Sequence, residues 1–288
     1  MSDFQGIWVA LVTPFRNGEI DFAGLDRLTA KLLEDGVAGL VVCGTTGEAA
    51  ALSQAEQLAV LDAVLQRVPA ERVIMGLAGN QLSALLDLQR EIQRHPLAGL
   101  LVPAPYYIRP SQAGLESFFT TLADAAQVPL VLYDIPYRTG VRIERETLRR
   151  IVRHPNIQAI KDCAGDAETT MALIADGQVQ VLAGEDTQIF NTLCLGGAGA
   201  ISASAHIRAD LYVAMQQRMA QGDLQGARQL HYRLLPWMQA AFGEANPSAI
   251  KAALALQGLI GEELRAPLMS CTTATHERLQ EVLARLAP

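Results

Sequence analysis

The chain has 288 residues, half of them hydrophobic and 18% charged, with a formal net charge of −7. That is enough apolar material for one large core or two ordinary ones. The acidic balance, with no basic run, argues against a nucleic-acid surface. With that net charge, an acidic substrate would have to be held by local donors rather than by the overall field, and no apolar run approaches the ~20 residues that span a bilayer.

The pattern alternates from one end to the other. Gly6–Pro14 reads as a strand, and 21–35 has helical periodicity with Asp21 as a plausible N-cap. Strand 38–43 is followed by a helix opened at Ser53, with Glu56 in capping-box position. Strand 72–77 leads to helix 82–94, and strand 98–103 to helix 111–127. Strand 130–133 leads to helix 144–152, and strand 157–161 to a short helix near Glu168. Strand 179–183 precedes a helix over 187–195, and strand 199–202 a helix over 208–221.

Eight strand–helix units is the number that closes a parallel barrel. The expected fold is therefore α/β, a (β/α)8 TIM barrel over residues 1–222. A doubly wound open sheet is the alternative, but Thr13-Pro14-Phe15 after the first strand is not its glycine-rich turn. Helices near 223–243, 247–259 and 272–286 form a C-terminal three-helix appendage over 223–288. Met1-Ser-Asp-Phe-Gln5 shows no leader pattern. The four cysteines form no C-x-x-C pair and suit a reducing, cytoplasmic setting. The five histidines show no H-x-x-H spacing, so no metal is expected.

In such a barrel the chemistry stands at the C-terminal ends of the strands. There the sequence places Gly44-Thr45-Thr46-Gly47-Glu48, Pro105-Tyr106-Tyr107, Tyr133 with Arg138 beyond it, Lys161, Gly184-Glu185-Asp186, and Ile201-Ser202. The chain has only three lysines, Lys31, Lys161 and Lys251. A lysine among apolar neighbours loses solvation, its pKa falls, and the free amine can attack a ketone to give an iminium that accepts a carbanion's electrons. Lys161 is read this way, with Tyr133 moving protons; a strand-end lysine bridged to Asp162 or Glu185 is the competing reading. The Gly44–Glu48 loop suits a small carboxylate, through its N–H groups and hydroxyls, although an ordinary strand-to-helix loop has the same composition. Arg138 offers a planar fork for a second carboxylate, or is simply solvated. The loop after the eighth strand, Ala203-Ser-Ala-His-Ile207, lacks the glycines of a phosphate site.

Taken together, Ile7–Pro14, the Gly-Thr-Thr-Gly-Glu loop, Tyr133-Asp-Ile-Pro136, Ile160-Lys-Asp162 and Asn246-Pro-Ser-Ala-Ile-Lys251 resemble the dihydrodipicolinate synthase and N-acetylneuraminate lyase family of class I aldolases. The resemblance implies that Lys161 forms a Schiff base with pyruvate and that no cofactor is used. It makes Tyr133 the proton donor and acceptor, linked through Thr45 to a Tyr107 that enters from a neighbouring subunit. It gives Thr45 and Thr46 the pyruvate carboxylate, and sets the backbone carbonyls of Gly184 and Ile201 at the border of the pocket. It also implies a homotetramer built from tight dimers, or a homodimer. Tyr137-Arg-Thr-Gly140 is similar to the synthase branch, where the arginine binds L-aspartate 4-semialdehyde, so the expected reaction is condensation of pyruvate with that aldehyde to 4-hydroxy-tetrahydrodipicolinate, in lysine and diaminopimelate synthesis. A related pyruvate-dependent aldolase or keto-deoxy sugar-acid lyase, and a non-catalytic keto-acid-binding paralogue, are the alternatives. Asp134, Asp162 and Cys163 depart from the family pattern. So do Gln54, Gln57 and Ala84, at a feedback site from which Tyr106 and Asn80 remain; inhibition by lysine is therefore expected to be weak or absent.

Overall fold

A computed structural model describes residues 4–287; residues 1–3 of the stretch read for a leader, and Pro288, lie outside it. Eight parallel strands close on themselves. In chain order they are β1 (Gly6–Ala10), β4 (Gly39–Val42), β5 (Val73–Gly76), β6 (Gly99–Pro103), β7 (Leu130–Asp134), β8 (Ile157–Asp162), β9 (Gln180–Ala183) and β10 (Gly199–Ser202). The labels β2 (Phe15–Arg16) and β3 (Glu19–Ile20) belong to a small hairpin after β1. Most strand residues are fully buried, because helices cover the outside and side chains fill the inside. This is why the strands read as continuous apolar runs rather than as alternation.

The surrounding helices are α1 (Phe22–Glu34), α2 (Gln54–Leu65), α3 (Leu82–Ile92), α4 (Gln112–Asp124), α5 (Pro136–Thr139), α6 (Arg145–Ile151), α7 (Ala167–Asp176), α8 (Ile189–Cys194) and α9 (Ala209–Ala220). Asp21 caps α1 by accepting from the Gly24 N–H, and Ser53 with Glu56 forms the full capping box on α2. The sequence did not announce the β2–β3 hairpin, whose strands are two residues each, nor α5, a single turn that carries Arg138. Both are too short to show a period.

Three more helices follow, α10 (Leu224–Ala241), α11 (Ser248–Leu256) and α12 (Thr273–Leu286). They pack against the barrel rather than apart from it. Trp237 of α10 is fully buried and donates from Nε1 to Ser204 O at 2.7 Å, gripping the turn that follows β10.

The barrel seam lies between β1 and β10, with Gly6 opposite Gly199. Gly199 has φ +153°, and a Cβ there would stand 1.9 Å from Gly6 O. Gly199→Ala must therefore push the seam apart. The expected loss is about 3 kcal/mol, or roughly 6–12 °C in melting temperature. Thermal denaturation checks it, and a shift under about 2 °C would mean that the seam yields without strain.

Candidate active site

Parallel pairing of β7 with β8 puts Tyr133 opposite Lys161 and Asp134 opposite Asp162. The Lys161 Nζ sits 4.4 Å from the centre of the Tyr133 ring. Lys161 is 6% exposed, and none of the ion pairs or hydrogen bonds among the described residues uses its amine. The bridge to Asp162 or Glu185 is not formed. Asp162 instead accepts from Ala164 N at 2.9 Å and from the Thr170 hydroxyl, and Glu185 accepts from Tyr137 Oη at 3.0 Å. Burial pushes the Lys161 pKa below its ordinary value, with Cys163, Asp186 and Glu185 pulling the other way. Burial also raises Tyr133 well above the ordinary phenol value, with the neighbouring Cys163 adding to the effect. Tyr133 therefore holds its proton. At the end of β9, a Cβ on Gly184 would lie 2.8 Å from Lys161 Cγ and 2.3 Å from Cys163 Sγ, so glycine leaves room for the lysine stem.

A cavity of about 410 Å³ opens at this end of the barrel, lined by Thr45, Tyr133, Arg138, Tyr106, Asn246 and Arg265 among others. Arg138 is exposed there; its guanidinium lies 5.7 Å over the Tyr137 ring and makes no hydrogen bond or ion pair among the described residues, so its fork is available to a ligand. Thr46 is buried beneath the loop, and Gly184 and Ile201 stand at the ends of their strands; none of the three lines this cavity, nor does Lys161, which packs against the Tyr133 ring. Tyr107 does not line it either. It is 86% exposed, with φ +71°, and projects from the surface. One chain by itself therefore brings Tyr133, Thr45 and Arg138 to one cavity, with the Lys161 amine against the Tyr133 ring, but not Tyr107.

The loop after β4 closes as a tight turn. Gly47 and Glu48 donate back to Gly44 O and Thr45 O at 3.1 Å, while neither Thr45 nor Thr46 N–H donates to a described residue. Glu48, at φ +55°, turns inward. It forms an ion pair with Lys251 of α11 in which both side chains are 0% exposed, and accepts from Arg265 N at 3.0 Å. Lys251 also donates to Glu263 O at 2.8 Å and lies over the Phe15 ring. The sequence contained both partners of this clamp but no signal joining them across some two hundred residues. Among the described residues, no group of three or more His, Cys, Asp or Glu is placed to hold a metal ion.

The model of the dihydrodipicolinate synthetase family matches residues 3–286. The chain belongs to this family. It is 39% identical to a 4-hydroxy-tetrahydrodipicolinate synthase of Trichlorobacter lovleyi, over 97% of this chain and 98% of that one. It is 38% identical to the protein of the same name from Haloarcula marismortui, over 99% and 94%. Among solved structures, dihydrodipicolinate synthase from Aquifex aeolicus matches with a TM-score of 0.95 at 31% identity, over 98% of each chain. Another, at 34% identity and TM-score 0.91, covering 98% of this chain and 96% of that one, is described as a monomeric dihydrodipicolinate synthase variant. Two carboxyl groups, Asp134 and Asp162, stand beside the site on neighbouring strands.

Asp134, one residue beyond Tyr133, is 1% exposed and its Oδ1 has no hydrogen-bond partner. Burial raises its pKa from 3.8 to about 7, Asp162 adds to the rise, and an Ile143 N–H bond and Arg142 oppose it. The native carboxyl thus keeps its proton through a pH range in which the unfolded one has lost it. Unfolding releases that proton, so stability falls as pH rises from about 4 to about 7 and is level above. Asp134→Asn stays neutral throughout. Relative to the parent, it should gain stability over that window, reaching up to about 4 kcal/mol at pH ~8. Melting temperatures of both proteins across pH check this; a difference that does not change with pH would contradict it.

Proposed function

We propose that this protein is a class I lyase, a 4-hydroxy-tetrahydrodipicolinate synthase, which condenses pyruvate with L-aspartate 4-semialdehyde in lysine and diaminopimelate biosynthesis. The observation that carries the reading is a buried lysine without a counter-ion, facing Tyr133 at the mouth of this family's barrel. In this reading Lys161, whose pKa is lowered by burial, attacks the keto carbon of pyruvate, and water leaves to give an iminium. Loss of a methyl proton then gives an enamine, whose carbon adds to the aldehyde. Hydrolysis or ring closure frees the amine. The covalent bond to Lys161 supplies the electron sink, and no cofactor is called for.

Tyr133 keeps its proton in the free protein, which suits a group that delivers a proton and takes one back rather than a standing base. Thr45 lies on the same cavity and would pass the proton outward to Tyr107 of a neighbouring subunit. The exposure of Tyr107 supports that assembly: a homotetramer of tight dimers, or a dimer. Thr45 and Thr46 would hold the pyruvate carboxylate, the carbonyls of Gly184 and Ile201 would border the pyruvyl group, and Arg138 would take the carboxylate of the aldehyde. The free fork of Arg138 favours this substrate over the uncharged sugar chains of the related lyases. None of the helices among the described residues is long and apolar enough to cross a membrane, and we place the enzyme in the cytoplasm.

Borohydride reduction in the presence of pyruvate, followed by peptide mapping, tests the reading. A single adduct on Lys161 is expected, and none in Lys161→Ala. Tyr133→Phe should still form the adduct but turn over about 10²–10⁴-fold more slowly. Absence of the adduct in the parent protein would overturn the reading. L-Lysine at sub-millimolar concentration should leave the rate unchanged. Gln57 Nε2 donates to Ala49 O at 3.1 Å and to Leu52 O at 3.3 Å, which commits it within its own chain segment. Steady-state assays with added lysine check this, and strong inhibition would contradict it.

A further inference from the structure

Asn246 lies far from the barrel strands in sequence, between α10 and α11, yet it lines the cavity at their mouth. Its Nδ2 donates to Thr46 Oγ1 at 2.9 Å. A hydroxyl has one proton and two acceptor positions. With the amide N–H on one acceptor position, the Thr46 proton is left to point elsewhere and meets no acceptor among the described residues, while the buried Asn246 Oδ1 has no partner either. Thr46 is 3% exposed, so water does not readily replace that acceptor. A buried donor without an acceptor is unfavourable by about 1–3 kcal/mol. The unused N–H groups of Thr45 and Thr46 belong to the same loop. Thr45 and Asn246 line the cavity and Thr46 lies just beneath it, so an anion settling against this loop would meet these open donors.

The amide is held in place from both sides. Five residues beyond Asn246, Lys251 is paired with Glu48, two residues beyond Thr46. Ser248 Oγ donates to Met269 O at 2.9 Å, and Arg265 N to Glu48 Oε2 at 3.0 Å. The two segments are thus joined at matching points, Asn246 to Thr46 and Lys251 to Glu48.

We propose that Asn246 is a positioning residue that reserves the Thr46 hydroxyl proton for the carboxylate of the keto acid, with the Glu48–Lys251 pair keeping the two segments aligned. This rests on the reading of Lys161 as the keto-acid amine. The group acts through Thr46 and does not touch the reacting carbon. Its effect therefore falls on keto-acid binding, and it disappears when the Thr46 hydroxyl is absent. An acceptor in place of the amide takes the proton for itself and adds a negative charge where an anion must bind, so Asn246→Asp is more harmful than Asn246→Ala.

The test is a double-mutant cycle on the full-length protein with Asn246→Ala, Thr46→Val and the pair. Asn246→Asp and melting temperatures are measured alongside. Asn246→Ala is expected to raise KM for pyruvate, and the pyruvate concentration that half-saturates borohydride trapping, about 10-fold. Its kcat and its KM for the aldehyde should stay within about 2-fold. The pair should be no weaker for pyruvate than Thr46→Val alone. Additive losses would overturn the proposal, as would an unchanged KM for pyruvate. Equal losses for both substrates together with a lowered melting temperature would show a packing role instead. A parent protein that forms no adduct sinks the keto-acid reading itself. An adduct in the parent with unchanged saturation in Asn246→Ala sinks only this inference.

Discussion

Lys161 sits almost wholly out of water at the end of β8, and no carboxylate balances its charge. Withdrawing an ammonium from water without a partner is costly, and the cheaper state is the neutral amine. The arrangement around it follows from that. Tyr133 is opposite in register and lays its ring against the amine, Gly184 clears space for the stem, and Asp162 and Glu185 are engaged by other donors. An ion pair at this position would have stabilised the cation and removed the nucleophile.

The second buried lysine shows the opposite solution. Lys251 is as deeply buried, but it meets Glu48, a backbone carbonyl and an aromatic face. Burial lowers its pKa as it does that of Lys161, but Glu48 pulls the other way, and the pair fastens a C-terminal helix to the loop that carries Thr45 and Thr46. Arg265 strengthens the same junction: it donates to Ala51 O and Gly18 O, both at 3.0 Å, and to Glu56 Oε1 at 2.6 Å. The C-terminal helices are therefore part of the site's construction. They and the segments joining them hold the loop through Asn246 on Thr46, Lys251 on Glu48 and Arg265 on Glu48 and Ala51.

On the other flank, Asp134 and Asp162 place two carboxyl groups on neighbouring strands just beyond Tyr133 and Lys161. Burial and the neighbouring Asp162 both favour the protonated form of Asp134. The arrangement sacrifices some stability at high pH.

The sequence by itself determined the barrel. Eight apolar runs separated by helical segments admit few closures, because a strand covered on both faces must be apolar along its whole length. It also determined where Lys161, Tyr133 and the Gly44–Glu48 loop stand, since each ends an apolar run and parallel strands present all such ends on one face. Elements of one turn or less, such as α5 and the β2–β3 hairpin, left no periodic trace. Tertiary structure alone decided which partner each charge received. Lys251 and Lys161 are alike as letters in apolar surroundings; only the chain's path brings Glu48 to one and leaves the other alone. The link from Asn246 to Thr46 is of the same kind, a contact between residues 200 apart. Local pattern records whether a side chain faces inward, whereas the identity of its neighbour depends on how distant segments meet.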